Sequence, residues 1–527
     1  MNTNLAHLPV SDLDAIEQLP TLNASAYDAA SLSDRSLFDW TPLPGSADGD
    51  LSGEQEIMVG RSRDLIRNNP VAAGGFQTLK DNIIGATLRL SAKPDYRLLG
   101  KDIEWARDWS KKTEAEFRSW ADSTECDAGG SLTLLGLSLQ MLGGSFMNGD
   151  GLALPIWKPR AGSRWSTRLH VMESDRLSSP YGLRTKKGLY EGVQSDKHGQ
   201  PVEYWISKNH PGDKWSMLAA SAEGWERIPA FTSWGRRRVI HLHDKERAGQ
   251  SRAKPLISAV MRELKMAGKY NTSELQTKIA NSLIAGVLES DLDPDSMNSI
   301  FGESAEQQYK DFLGGFKAKL QSGAIIKAPP GTHMNLMASG RNSADFDQYM
   351  TTVLRYIATG LNIPYELLLK DFSKTNYSSA RAALLEAWRY FHGRRRWLSD
   401  YWLNAVYELW LEEAIDLGRI EAPGFYDNRY AYAKCRWIFS GRGWVDPVKE
   451  AKAATIRMEN NLSTLEQECA EQGLDWEEVL EQKAHEENRA EGLGISLSSA
   501  SSRPDLAMAQ TPTQDNSVSQ ETGATNG

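Results

Sequence analysis

A chain of 527 residues exceeds the size at which one hydrophobic core keeps growing, so two or three packed units with tails are expected. Hydrophobic residues make up 40% of it and include 17 Trp, which excludes a chain disordered throughout and calls for large buried or interface surfaces. The net charge is −9, from 60 basic and 69 acidic residues, which argues against a protein that grips nucleic acid over its whole surface. Three widely spaced cysteines, Cys126, Cys435 and Cys469, suggest neither a disulfide framework nor a CxxC metal site and fit a reducing compartment. The first twenty residues lack a basic start followed by an apolar run, and no stretch reaches the roughly 18 apolar residues of a membrane span. The expectation is a protein that is cytosolic when made, with no membrane partner.

In chain order, the acidic, Ser- and Pro-rich residues 1–54 read as a flexible arm with room for short docking segments. Between Arg61 and Gly85 one helix is expected, with Pro70 in a first turn and Gly85 at an end. Ile103, Ala106, Trp109, Phe117 and Trp120 recur at helical spacing, and a second apolar helix runs from Ser131 towards Leu142. Leu152 to Asp244 changes texture to short apolar runs, LALPIW, RLHVME, VEYWIS and RRVIHLH, separated by turn residues, which predicts a β-rich region. From Pro255 to Ser290 no further proline interrupts an apolar helical pattern through Leu264, Leu275, Ile279 and Val287. A mixed stretch containing GAIIKAPPGTHMNLM follows, read as a short helix and a small sheet, and then a helix from Ala344 to Leu361. After the interruption KDFSKTNYSSA, a very long helix carries Leu384, Trp388, Phe391, Leu398, Trp402, Ala405 and Leu409 on one stripe, with Arg395 in the seam. Helices return from Pro447 to about Asn488, and the Ser-, Thr- and Gln-rich residues 491–527 read as a flexible tail.

Catalytic motifs are absent from this pattern. A phosphate loop needs Gly-Lys-Ser/Thr after a Gly-rich turn, and Gly268-Lys269 is followed by Tyr270 inside a helix. No GxSxG nucleophile turn occurs. Asp291, Asp293 and Asp295 alternate as in a calcium loop, but Ser296 and Gly302 stand where that loop has Gly and Glu, so an acidic turn is the reading. His241 and His243, followed by Asp244 and Glu246, share one strand face and offer metal-ligating atoms, yet lack an HxxxH or CxxC partner and read as strand-end residues. Trp105, Trp109, Trp120, Trp388, Trp397, Trp402 and Trp410 have a spacing that fits packing better than sugar stacking. Arg394, Arg395 and Arg396 are either a solvated face or a site for acidic neighbours in an oligomer, the second being slightly favoured. No catalytic residue, metal ligand or cofactor is assigned.

The order of the pieces carries a resemblance. Arg61 to Gly85, with LIRNNP at Leu65 to Pro70, is similar to the opening of lambda-type phage portal proteins, and HLHDKERAGQSRAKPLISAV from His241 resembles their central motif. GLNIPYELLLKDFSKTNYSSARAALLEAWRYF from Gly360 to Phe391 is the most specific match, completed by GWVDPVKEAKAA from Gly443 and DWEEVLEQKAHEE from Asp475. The resemblance implies an α+β, mainly helical portal fold with wing, stem, clip, tunnel loop and crown. On that pattern residues 55–254 are the wing, 255–290 and 344–369 the stem helices, and 291–343 the clip. Residues 370–379 are the tunnel loop, 380–446 the long helix and wing return, and 447–490 the crown.

It further implies a homododecameric ring at one capsid vertex, in the virion after assembly in the host cytoplasm. Its partners would be the terminase large subunit, major capsid and scaffold proteins, head-tail connector or adaptor proteins, and double-stranded DNA without sequence preference. Lys370, Phe372, Ser373, Lys374, Thr375, Asn376 and Tyr377 would face the DNA. The acidic balance suits a conduit, because each phosphate neutralised by Lys or Arg strengthens binding where a duplex must slide. The rival readings are a cytosolic helical scaffold and a carbohydrate-active enzyme.

Overall fold

The computed structural model describes residues 39–180, 186–213, 224–288, 324–327, 343–373, 375–443 and 446–495, with Ala29, Arg35 and Ser36 besides. It is an α+β structure, mainly helical, in two compact units. The first comprises Met1–Gln77, Cys126–Gly130 and Leu137–Phe372, and the second Thr78–Glu125, Ser131–Gly136 and Ser373–Gly527. No helix among the described residues is long and apolar enough to cross a membrane.

In the first unit the apolar runs of the β-rich region are strands. Asp150–Trp157 lies between Thr167–Met172 and Ile240–His243 in one antiparallel sheet, with Leu152 opposite both Met172 and His241. A second antiparallel sheet orders Leu189–Tyr190, Val193–Ser195, Pro201–Ser207 and Trp225–Pro229 side by side. Leu152 of the first sheet and Val193, Tyr204, Ile206 and Ile228 of the second share one buried cluster, so the two sheets enclose a single small core.

Helices precede these strands in the chain. Gln55–Asn68 stops where Asn69 takes extended backbone before Pro70, as expected of a residue preceding proline. The Asn69 side chain accepts from the Val71 and Ala72 N–H groups, capping the Pro70–Ile83 helix, and donates to the Leu264 carbonyl. The region between Arg61 and Gly85 is therefore two helices with a shared Asn-Pro corner, where one was expected.

The predicted helix from Pro255 opens as a 3-10 turn, Leu256–Val260, and runs as α-helix through Met261–Leu283. At Ile284 it gives way to a strand, Ile284–Leu288, paired in parallel with Ala324–Lys327. Gly286 and the β-branched Ile284 and Val287 weaken helix at this end, so the apolar spacing alone overextends it. Tyr270 packs on Phe346 and Tyr349 of the Ser343–Gly360 helix, with ring centroids 5.3 and 5.4 Å away. Gly360 lets that helix close, since a Cβ there would sit 2.4 Å from Val260 Cγ1. The N-terminal arm also docks locally: Ser46 caps Ala47–Leu51, and buried Asp48 accepts from the Ser251 N–H and hydroxyl, both at 2.7 Å.

In the second unit Asp102 caps the Ile103–Ala121 helix, and the unanticipated strand Cys435–Phe439 pairs antiparallel with Leu88–Ala92. The long helix is interrupted. Tyr377–Leu398 passes through a π-turn, Ser399–Leu403, into Asn404–Asp416. The wider turn rotates the apolar stripe, and beyond it the helix is buried on nearly every side, from Ala405 through Ala414. Phe117, Trp120, Tyr407, Trp410 and Trp437 form the core there, with Phe117 edge-on to Tyr407, Trp410 and Trp437. Trp spacing thus reported packing.

Arg395 corrects an expectation. It is neither a solvated face nor open to a neighbouring subunit, being buried within its own chain, where it donates to the carbonyls of Ile83, Asn82 and Ser440 at 2.8, 2.9 and 2.8 Å, between the rings of Trp388 and Phe439. Those carbonyls include the last of the Pro70–Ile83 helix, where a cation is favoured. Burial lowers its guanidinium to about 10. Arg396 lies 3.6 Å from Asp400, and Arg394 lies over the Tyr390 and Trp397 rings. Gly85, at φ +72°, ends the helix beneath Ser440, whose hydroxyl accepts from the Thr87 N–H and would collide with any Cβ at Gly85.

Candidate functional site

The most concentrated chemistry lies in the first unit around Asp150. This carboxylate is fully enclosed at the start of the central strand. One oxygen accepts from His241 Nε2 and the Ala253 N–H, both at 3.1 Å, and the other from Arg252 Nε at 2.6 Å and Gln55 Nε2 at 3.0 Å. The Arg252 head also donates to the carbonyls of Leu177, Glu191 and Ser174, and Gln55 to that of Ala253. One side chain therefore joins the Gln55–Asn68 helix, two strands and the segment entering Met261–Leu283.

Burial alone would raise the Asp150 carboxyl, but the Arg252 charge and the His241 hydrogen bond hold it below the ordinary carboxylate range. Burial pushes His241 down, and His243 down to about 3 with help from its neighbour, so both imidazoles are neutral near pH 7. His241 carries its proton on Nε2, the atom facing a carboxylate that has none to give. Tyr204 stands edge-on to His241 with centroids 5.7 Å apart.

Asp150, His241 and His243 are close enough to share an ion. Their arrangement opposes it. The two imidazoles stack 4.1 Å apart at 20°, so their in-plane lone pairs run side by side, and each Asp150 oxygen already serves two donors, one of them a guanidinium. The chemistry is a buried ion pair tying elements together. Asp244 and Glu246, the neighbours that sequence offered the histidines, do not join Asp150; Glu246 pairs with Lys254 at 2.8 Å. Asp150 itself went unnoticed, being 91 residues from His241 and in no local motif. Asp291, Asp293 and Asp295 lie outside the described residues.

The expected loop follows the short helix Tyr365–Leu369. Tyr365–Leu369 ends at Lys370, which adopts φ +58°, and exposed Asp371, Phe372 and Ser373 follow. Lys374 lies outside the described residues. Thr375 precedes Asn376, whose side chain accepts from the Ser379 N–H at 2.8 Å and starts the next helix at Tyr377. The helix therefore begins three residues earlier than expected, and Tyr377 is its first residue rather than part of the loop. Lys449 Nζ lies 5.6 Å from the Tyr377 ring centre and 2.9 Å from Asp446.

The sequence pattern described as phage portal protein, lambda family, matches residues 33–395. Portal protein B of Escherichia phage lambda is 31% identical over 478 residues, covering 87% of this chain and 88% of that protein. The chain belongs to the lambda family of phage portal proteins. The portal protein of Escherichia phage N15 is likewise 31% identical over 87% of the chain and 89% of its own length. A probable portal protein of Halomonas phage phiHAP-1 is 23% identical over 86% and 85%. Among solved structures, a chain from the neck of a native gene transfer agent particle, computed with C12 symmetry, aligns at TM-score 0.36 and 15% identity over 70% of this chain and 90% of that one. In this portal-family chain, the motif from His241 supplies His241, His243 and Arg252 to the Asp150 network.

Proposed function

We propose that this portal-family chain closes into a twelve-membered ring at one capsid vertex and that duplex DNA passes through the ring during packaging and ejection. Membership of the lambda portal family is the observation that carries the reading. The chain breaks no bond; motor and nuclease work belongs to the terminase, whose large subunit docks on the clip at residues 291–343. Residues 55–254 form the wing, 255–290 and 344–369 the stem, and 447–490 the crown. Capsid, scaffold and head-tail connector proteins meet the ring from outside, and the host cytoplasm is where it assembles.

Within this reading Lys370, Phe372, Ser373, Lys374, Thr375, Asn376 and Tyr377 line the channel. Exposed Lys370, Phe372, Ser373 and Asn376, lying from the Lys370 turn to the Asn376 cap, support that placement. Repeated around an axis, its lysines form a positive belt in an acidic ring, and solvated contacts of this kind are individually weak enough to let DNA move. Replacing Phe372 to Thr375 with two glycines preserves both the Lys370 turn and the Asn376 cap. Rings carrying the change are expected to enter capsids normally and to package or retain markedly less DNA, measured as genome length per particle. Full-length, stably held genomes would refute the loop's role.

A further inference from the structure

The C-terminal helices of the second unit are attached in an unusual way. No residue of Pro447–Glu459 or Leu465–Glu471 is buried, and in Trp476–Gly492 only Ala490 is. Helices that bury so little apolar surface need another source of attachment. Here it is charge. Glu478 reaches Arg89 and Arg118, both at 2.6 Å, and Glu481 reaches Lys111 at 2.6 Å. Glu477 faces Arg107 and Lys111 at 3.8 and 3.9 Å, and Glu466 faces Lys93 and Arg436 at 3.1 and 3.8 Å.

In these pairs the acids are on the C-terminal helices and the bases on the Leu88–Ala92 and Cys435–Phe439 strands, the residue after the first of them, or the Ile103–Ala121 helix; Glu471 also faces Arg442 at 3.8 Å, and Glu468 pairs with Arg457 of Pro447–Glu459 at 2.6 Å. A second observation marks where the strap turns. Backbone meets backbone at Gly441 and Gly473: a Cβ on Gly441 would lie 2.6 Å from the Gln472 carbonyl carbon, and one on Gly473 would lie 2.9 Å from Phe439 O. This contact anchors the 472–473 turn without side-chain interlock.

We infer that Leu465–Glu471 and Trp476–Gly492 form an ionic strap, held on a basic face by complementary charge and released as ionic strength rises while the rest of the unit stays folded. Each pair is partly exposed and individually weak, so the hold is a sum of small screened terms rather than a packed core. The strap is thus the part of the unit that can change position without unfolding it.

Hydrogen exchange of the intact, assembled protein tests this at about 0.05 M and about 1 M NaCl, where the screening length falls to about 3 Å. Protection of residues 465–492 is expected to drop about tenfold or more, with Asn404–Asp416 unchanged. Glu478→Gln, which removes two contacts, should release the strap at lower salt. Lys111→Glu and Glu481→Lys should each loosen it and together recover part of it, since the exchanged pair re-forms while Glu477 loses its Lys111 contact, a recovery that a merely misfolded variant does not show. Salt-independent protection of 465–492, equal loss of protection across the whole unit, or a Glu478→Gln variant matching the parent would each overturn the inference.

Discussion

Asp150→Ala is expected to cost the first unit about 3–5 kcal/mol, because it leaves the Arg252 guanidinium buried with no counter-charge. The carbonyls of Leu177, Glu191 and Ser174 still hold that guanidinium in place, so it cannot swing to water without breaking them. Gln55→Leu removes one donor to the same carboxylate and leaves the ion pair, so its cost should be nearer 1 kcal/mol. Denaturant midpoints of the two variants measure the difference, and equal midpoints would show that the network carries no special weight.

The same network fixes a pH direction. His241 and His243 have folded values below the ordinary 6.5. Between that value and about 3 the unfolded chain binds more protons, and the histidines' contribution, complete above 6.5, fades as pH falls. Asp150, depressed when folded, adds its own loss below 3.8. Glu114 in the second unit has the opposite sign. Burial raises it from 4.5 to about 7, so its contribution is present at low pH and fades as pH rises through that interval. His392 in the second unit is also lowered by burial and shares the histidines' sign, but there it is opposed by Glu114, so weakening between pH 7 and 5 should be larger in the first unit.

Arg395→Met is expected to destabilise the second unit by about 3 kcal/mol, by a different route. No charge is stranded, but three carbonyls lose their donor within a buried site. Arg395→Lys should recover only part, since an ammonium cannot reproduce the guanidinium's planar fork towards three separate oxygens. Thermal unfolding of the three proteins orders them. Full recovery by Lys would mean that charge near the helix end, and not the directed hydrogen bonds, is what counts.

These two side chains show what was legible in the sequence. The β-rich region, the helix turn at Pro70 and the aromatic core were visible because short apolar runs between turn residues, Pro70 and Trp spacing act over a few residues, whereas the Asn69 cap that splits the first helix in two was not read. The Asp150 and Arg395 networks were not, since their partners come from distant segments and a lone Asp or Arg carries no spacing. The π-turn at Ser399–Leu403 was hidden too: a stripe spaced by fours and threes reads as continuous helix even where one wide turn rotates it. The helix end at Leu283 was missed because apolar residues continue into the following strand. For the loop, Ser, Thr and Asn content foretold a break, and the Asn376 cap decided where it ends.

Electron microscopy of the purified 527-residue chain distinguishes a closed ring from a monomer. Discs with a central hole and a particle mass of about 700 kDa, twelve times the 58.6 kDa of one chain, are expected. A stable 58.6 kDa monomer at micromolar concentration, with no ring at any salt concentration, would contradict the proposed function.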